Sequence, residues 1–394
     1  MEILERKLTA RLRTDLPFPI EEYERRVNDV RKELNHRSLD AMMITNPENI
    51  FYLTGFETTG YMCYQALFIP VEPEPFIVTR VLEDTGVQAL SWLEHSFPHI
   101  DSEDPFIRTK EALEQFNLHT KKIGYERDSW FLTVSQQDKL FSLVRDAVFV
   151  DCAGLIEELR LIKSEAELEK IKEAVLFTEA ALNAGIDAAE EGVKDNDISS
   201  AMHYAMIKAG SDYPAVQPYV ATGPRSAVGH ATWSGRTLEQ GDCVFLEVAG
   251  CKHRYHAACM RTGFIGKPSP DQVQAEKIIR EAVDTTIDVI KAGVKASEID
   301  AVSRNIISRN KLGLQQLARS LYSIGIAFAP GWDEGHIFSC HPGEHRELQP
   351  NMVFHLIPWG LVPGKFAMGL SETIRVTEAS CEVLTRLPRS SFIK

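Results

Sequence analysis

One carboxylate lies inside an otherwise apolar stretch of this 394-residue chain. In residues 243–249, Glu247 has only apolar or small neighbours, a pattern that predicts a buried strand. Burying a charged carboxylate costs free energy unless the group is paired or has a chemical role. Glu247 is therefore either the partner of a nearby arginine or a catalytic base or nucleophile.

A second group of potential ligands, further along the same region, does not predict a zinc site. His253, Tyr255 and His256 lie between Cys251 and Cys259. Because side chains alternate along a strand, positions 251, 253 and 255 share one face while position 256 faces the other way. These side chains do not converge on one point, as the ligands of a zinc ion must.

Composition and charge exclude several classes of protein. The net charge is −13, which argues against nucleic-acid binding. No apolar run approaches the roughly 18 residues of a spanning helix, and the first residues lack the apolar core of a secretion signal. The seven cysteines are scattered without CxxC pairs, a pattern typical of reduced thiols. We therefore expect a cytoplasmic protein that binds neither nucleic acid nor membrane.

The hydrophobic pattern predicts strands and helices in alternation as far as about residue 155. Apolar residues recur at helical spacing from Ile20 to Leu34, and a buried strand follows at 39–45. Ser164 and Glu167 form a capping box that predicts the start of another helix. This pattern indicates an α/β domain over residues 1–155 and a second domain over 156–394.

The second domain is predicted to contain both long helices and strands. Ser269 and Gln272 form a second capping box, with Gly293 beyond the far end of that helix. A further helix is predicted to begin at Ser297 and to stop at Gly313. Strands are predicted at 243–249, 254–265, 352–357, 372–378 and 381–385.

Four segments of the second domain resemble those that carry the five metal ligands of the pita-bread aminopeptidases, such as methionine aminopeptidase, aminopeptidase P and prolidase. The segments are 241–248, 255–262, 335–336, and 352–358 with 371–378. That family places Asp, Asp, His, Glu and Glu at positions that read here Glu247, Ala258, His336, Ile357 and Glu372. Alanine and isoleucine cannot bind a hard cation. The resemblance thus predicts a retained scaffold that holds no metal, and no other cofactor is expected.

The first domain resembles the N-terminal domain of prolidase and creatinase, since residues 49–55 read N-x-x-Y-L-T-G. The fold implied is of the mixed α/β (α+β) class, a small creatinase-type domain followed by a pita-bread catalytic domain. The resemblance also implies a homodimer in which residues 51–65 help to enclose the pocket of the partner.

The resemblance assigns roles to particular residues. Glu247, His230 and Glu372 are expected to be catalytic, with His230 carrying protons near neutral pH. The expected substrate-binding residues are His336, Asp212, Tyr213 and Trp233.

Several segments look like those of the ectoine hydrolase family. They are 212–216, 230–233, 245–251, 254–256, 347–355 and 387–394, whereas residues 333–345 depart from that family. The implied activity is metal-independent opening of a cyclic amidine, a small zwitterionic molecule with an amidinium group, and ectoine is the favoured substrate. The alternatives are a metal-dependent Xaa-Pro dipeptidase or aminopeptidase, a creatinase-like amidinohydrolase, and a catalytically silent binding protein.

Overall fold

The computed structural model describes residues 16–394, which divide into two compact units, residues 16–160 and 161–394. Among these residues no helix is long and apolar enough to cross a bilayer.

The first unit is built on one six-stranded sheet in the order β4-β3-β2-β1-β5-β6. Strands β1 and β2 are antiparallel, as are β2 and β3, whereas β1–β5, β5–β6 and β3–β4 are parallel. The strands are β1 (Ala41–Ile44), β2 (Ala66–Pro70), β3 (Phe76–Arg80), β4 (His95–His99), β5 (Lys122–Tyr125) and β6 (Val148–Asp151). The helices are α1 (Ile20–His36), α2 (Pro47–Thr54), α3 (Val81–Leu90), α4 (Pro105–Gln115), α5 (Val134–Leu143) and α6 (Leu155–Leu161). The predicted helix and strand at the start of this unit are confirmed as α1 and β1.

The second unit carries four more α-helices and eleven strands among the described residues. The helices are α7 (Glu165–Ala188), α8 (Asp195–Lys208), α9 (Pro270–Val289) and α10 (Ala296–Ser308). The strands are β7 (Tyr219–Thr222), β8 (Cys243–Lys252), β9 (Tyr255–Phe264), β10 (Leu321–Ser323), β11 (Ser339–Cys340), β12 (Val353–Leu356), β13 (Trp359–Val362), β14 (Phe366–Gly369), β15 (Glu372–Val376), β16 (Cys381–Val383) and β17 (Phe392–Ile393). They form sheets in the orders β17-β9-β8-β7, β11-β10-β12-β15-β16 and β13-β14.

Both predicted capping boxes are present. Ser164 Oγ accepts a hydrogen bond from the Glu167 N–H at 3.3 Å, and the Glu167 carboxylate accepts one from the Ser164 N–H at 2.9 Å. Ser269 and Gln272 make the same pair of bonds at the start of α9. Helix α10 stops at Ser308, five residues before the predicted Gly313, because residues 310–314 form a turn around the Asn310 side chain.

The β8–β9 hairpin is the longest paired element of the second unit, and it has two unlike faces. Leu246 and Val248 point into an apolar cluster with Phe177 and other residues of α7 and α8. Phe245 and Met260 point the other way and form a small cluster of their own. Glu247 pairs with Met260 across the hairpin and so lies on that second face.

Candidate active site

Glu247 lies at the centre of the second hairpin face. Its neighbours across the sheet are Met260 on β9 and Tyr219 on β7. Within residues 16–394, no group donates a hydrogen bond to the Glu247 carboxylate or forms an ion pair with it. Burial raises the pKa of Glu247 to about 8, because the apolar surroundings disfavour the charged form. The arginine pairing considered from the sequence is thus not made, and the carboxylate is free to interact with a ligand.

Aromatic rings lie beside this carboxylate. The Tyr219 ring contacts the ring of Trp332 edge-on at 5.3 Å and that of His230 at 5.7 Å. Burial, and after it the charge of Glu247, raises the pKa of Tyr219. His230 is exposed and adopts a left-handed backbone conformation (φ 59°) directly after Gly229. The ring of His230 therefore lies against Tyr219, the cross-strand neighbour of Glu247. We refer to the group of Glu247, Tyr219, His230 and Trp332 as the pocket.

A buried tyrosine and histidine form a second wall of the pocket. Tyr322 on β10 shares a hydrogen bond of 2.6 Å with Nδ1 of His355 on β12, and Trp332 Nε1 donates to the tyrosine oxygen at 2.9 Å. Burial raises the pKa of Tyr322 well above its usual value, and the charge of Glu247 adds to this increase. Burial also lowers the pKa of His355 to about 3, so this histidine is neutral at physiological pH.

The positions that would carry metal ligands do not fit a metal. Ile357 packs against the cluster of Phe245 and Met260, and Ala258 offers only backbone groups, which bond to the Thr373 hydroxyl. No group of three or more His, Cys, Asp or Glu side chains in the described part of the chain could hold a metal ion. Metal independence of the reaction itself stays a prediction.

Glu372 does not reach Glu247. Its carboxylate accepts a hydrogen bond from Arg261 at 2.9 Å, lies 3.3 Å from Nε of Arg389 and also accepts from the Thr385 hydroxyl. Arg261 follows Met260 in β9, so alternation places its side chain on the opposite face of the hairpin. Glu372 is therefore a member of a buried ion-pair network and not of the pocket.

Asp212 and Tyr213 lie at the tip of the β8–β9 hairpin. Asp212 accepts the His253 N–H at 2.5 Å, in a turn where His253 and Arg254 both have positive φ. The Arg254 guanidinium stacks 4.1 Å from the Tyr213 ring and donates to the Tyr213 carbonyl. His253 is six positions from Glu247, about 20 Å along a strand. These two residues shape the hairpin end and are not brought to Glu247.

Trp233 and His336 are also placed elsewhere. Trp233 packs against the apolar cluster on the helix-facing side of the hairpin, and its ring meets that of His203 at 5.9 Å. His336 is exposed in the turn at 335–337, and within the described residues it has no hydrogen bond or ring contact.

Sequence reasoning missed Tyr219, Tyr322, Trp332 and His355. A buried histidine between apolar residues in a strand is the same signal that singled out Glu247, and it could have found His355. The aromatic residues carry no such signal, since aromatic side chains are ordinary components of buried strands.

Two family matches cover most of the chain. Residues 169–378 match metallopeptidase family M24, and residues 26–162 match the creatinase/prolidase N-terminal domain. The ectoine hydrolase of Halomonas elongata is 29% identical over 97% of this chain and 100% of its own.

Solved structures confirm the expected fold. A prolidase from Thermococcus sibiricus superposes with a TM-score of 0.84 at 23% identity, covering 94% of this chain and 99% of that one. The X-Pro aminopeptidase of Thermotoga maritima gives 0.81 at 23% identity, covering 93% and 99%. At these identities the likeness shows the fold, a creatinase-type α/β domain followed by a pita-bread domain.

Proposed function

The chain belongs to metallopeptidase family M24, and from this premise we propose that it is a metal-independent hydrolase that opens a cyclic amidine, with ectoine as its substrate. The product would be N-acetyl-L-2,4-diaminobutyrate. The observation that carries the proposal is the Glu247 carboxylate, which has no cationic partner among the described residues and lies beside aromatic rings.

A planar amidinium cation suits this pocket. It can donate charge-assisted hydrogen bonds to Glu247, and aromatic faces such as that of Tyr219 attract a cation. The cation replaces the positive charge that a metal ion would supply, and its carbon is already electrophilic. A neutral peptide bond gains neither benefit, so a dipeptide would depend on a metal to polarise its carbonyl. Ala258 and Ile357 make such a metal site a poor fit.

The name of the relative adds to this support. The Halomonas elongata protein is called an ectoine hydrolase, and its similarity extends over nearly the whole of both chains. We propose the same substrate for this chain because the negative charge of Glu247 complements the positive charge of the amidinium group.

The reaction balances without any further reactant. The amidinium takes up one water, the oxygen becomes bonded to the amidine carbon, and the bond from that carbon to one ring nitrogen breaks. An amide and a protonated amine result. We favour Glu247 as the nucleophile that attacks the carbon. The ring nitrogen then departs, and the water hydrolyses the adduct on Glu247 to release the amide and restore the carboxylate. Activation of water by Glu247 is the alternative. We propose that His230, which is exposed beside the Tyr219 ring, passes a proton to the departing nitrogen.

The protein is expected to act in the cytoplasm. All seven cysteines are free thiols, including five that are buried, which suits a reducing compartment.

The test is product analysis by mass spectrometry after incubation with ectoine, creatine or a Xaa-Pro dipeptide, each with and without a chelator. The proposal predicts an ectoine product of one added water in both conditions. Cleavage of the dipeptide that the chelator abolishes would instead support a metallopeptidase. No product from any of the three would support a binding protein.

A further inference from the structure

A continuous chain of hydrogen bonds runs from the β9 backbone to the hydroxyl of Tyr322. The Met260 N–H donates to Ser371 Oγ at 2.7 Å, and Ser371 Oγ lies 2.6 Å from His355 Nε2. His355 Nδ1 lies 2.6 Å from Tyr322 Oη, which also accepts from Trp332 Nε1 at 2.9 Å. Ser371 and His355 are fully buried, and Tyr322 is 6% exposed.

The groups of this hydrogen-bond chain carry five polar hydrogens, but the chain contains only four hydrogen bonds, so one hydrogen has no acceptor within it. Met260 N–H and Trp332 Nε1–H can only donate, so Ser371 and Tyr322 each accept one bond at the outset. A neutral His355 has one N–H and one bare nitrogen. If Nε2 carries the hydrogen, Tyr322 donates to Nδ1 and the Ser371 hydroxyl hydrogen is left over. If Nδ1 carries it, Ser371 donates to Nε2 and the Tyr322 hydroxyl hydrogen is left over.

The surroundings of the two ends decide between these arrangements. Ser371 is enclosed, and within residues 16–394 its oxygen has no partner besides Met260 and His355. An unused donor at that end would be buried and unsatisfied, which is unfavourable. The other end adjoins the pocket, because Trp332 contacts both the Tyr322 oxygen and the ring of Tyr219, the cross-strand neighbour of Glu247. The leftover hydrogen is therefore better placed on Tyr322.

We propose that Tyr322 is a catalytic hydrogen-bond donor of this site, and that His355 and Ser371 are positioning residues that keep its hydroxyl hydrogen directed away from the histidine. This inference rests on the proposed function. An amidinium substrate has only N–H groups at its reacting centre and offers Tyr322 nothing to donate to. An acceptor appears when an oxygen becomes bonded to the amidine carbon beside Glu247. Attack on the cationic amidinium gives a neutral tetrahedral intermediate, and Tyr322 stabilises it by donating a hydrogen bond to this new carbon-bound oxygen.

The tautomer of His355 tests the hydrogen-bond chain without any substrate. Long-range proton–nitrogen NMR of the 15N-labelled protein distinguishes the two ring nitrogens, and a His355→Gln variant identifies the signals. The proposal predicts that Nδ1 carries the hydrogen in the wild type. A hydrogen on Nε2 would overturn it, because Tyr322 would then donate to the histidine. Ser371→Ala should disturb this tautomer by removing the donor to Nε2.

Kinetics with ectoine test the role of Tyr322. Tyr322→Phe should lower kcat about a hundredfold and leave KM within a few-fold, since the bond is made only after the substrate has bound. Tyr255→Phe is the matched control, because it also removes a buried tyrosine hydroxyl, one bonded to Glu167. It should leave kcat unchanged. Equal kcat values for Tyr322→Phe and the wild type would refute the catalytic role.

Failure of the proposed function and failure of the inference about Tyr322 give different experimental results. A wild-type protein that does not hydrolyse ectoine would refute the proposed function, and with it the catalytic role of Tyr322. The tautomer would still be decided by NMR.

Discussion

At the scale of single residues, the reactivity of Glu247 follows from what surrounds it. An apolar strand, a methionine and a tyrosine make the charged form costly, and no described residue relieves that cost with a hydrogen bond. A bound cation therefore stabilises the charged form of this carboxylate more than it would stabilise a carboxylate that is exposed to water. The same burial that raises its pKa therefore favours a cationic ligand.

The pH dependence of the reaction should show both the raised pKa of Glu247 and its decrease when a cation binds. In the free protein the pKa of Glu247 is about 8, so kcat/KM should rise with pH and level off above that value. A bound amidinium stabilises the charged form of Glu247 and so lowers its pKa. The rise of kcat with pH should therefore occur at lower pH than the rise of kcat/KM. Steady-state rates with ectoine from pH 5 to 10 provide the measurement. A kcat/KM that is constant between pH 5 and 8 would contradict the assigned charge state.

The sequence pattern identified Glu247 because a charge between apolar residues stands out. It could not identify Tyr322 or Trp332, whose types are common in any core. Nor could it show that the His230 ring packs against Tyr219, because that contact depends on how a loop returns to the sheet.

At the scale of elements, alternation at the start of β15 decides which side chain joins the hydrogen-bond chain of His355 and Tyr322. Ser371 contacts His355, whereas the next residue, Glu372, points to Arg261. A shift of one residue in a strand moves a side chain to the opposite face. The sequence predicted β15 itself correctly, yet the choice between two adjacent residues required the register with β9 and β12.

Substitution of Glu372 should therefore affect stability more than chemistry. Glu372→Gln leaves the buried Arg261 without its main counter-charge, which should lower the free energy of unfolding by about 3 kcal/mol. Its kcat with ectoine should stay within a few-fold of the wild type. Urea unfolding and steady-state kinetics of the same preparation give both values. A large loss of kcat in a stably folded variant would return Glu372 to the catalytic group.

In the first unit, the buried carboxyl group of Glu126 makes stability depend on pH. Glu126 and Glu157 both accept hydrogen bonds of 2.6 Å from the Asn49 amide, and Glu126 also accepts from the Thr45 N–H. Burial, and after it the charge of Glu157, raises the pKa of Glu126 to about 8. The unfolded chain releases this proton near its ordinary pKa of about 4.5, so stability should fall as pH rises from there to about 8.

Glu157→Gln should reduce that fall by removing the like charge. We expect the variant to be more stable than the wild type at pH 9 by on the order of 1 kcal/mol, and to differ little at pH 5. Urea unfolding at the two pH values is the measurement. A variant that is equally destabilised at both would show that the carboxylate acts only as a hydrogen-bond acceptor.

At the scale of the whole molecule, the homodimer expected from the sequence stays a prediction. The first unit exposes Met62 (83%) and Trp130 (80%), beside the ring pair of Tyr61 and Phe131. Exposed apolar patches of this kind are typical of interaction surfaces. We propose that this patch, which includes part of segment 51–65, contacts a second copy of the chain.

Light scattering should then report a dimer, and Trp130→Asp should shift it towards the monomer with a loss of ectoine turnover. Ile207→Asp, at an exposed apolar position of the second unit, is the control and should leave both unchanged. A fully active monomer at assay concentration would refute the proposal.

A single assay addresses whether Glu247 opens an amidine without a metal. Ectoine turnover is measured for the wild type before and after exhaustive chelation, and for Glu247→Gln, which keeps the shape and removes the charge. We expect the chelated wild type to keep its full rate and the variant to be at least about a hundredfold slower. A wild type that loses its activity with the chelator and regains it with manganese, cobalt or zinc would contradict the claim, as would near-normal turnover by Glu247→Gln.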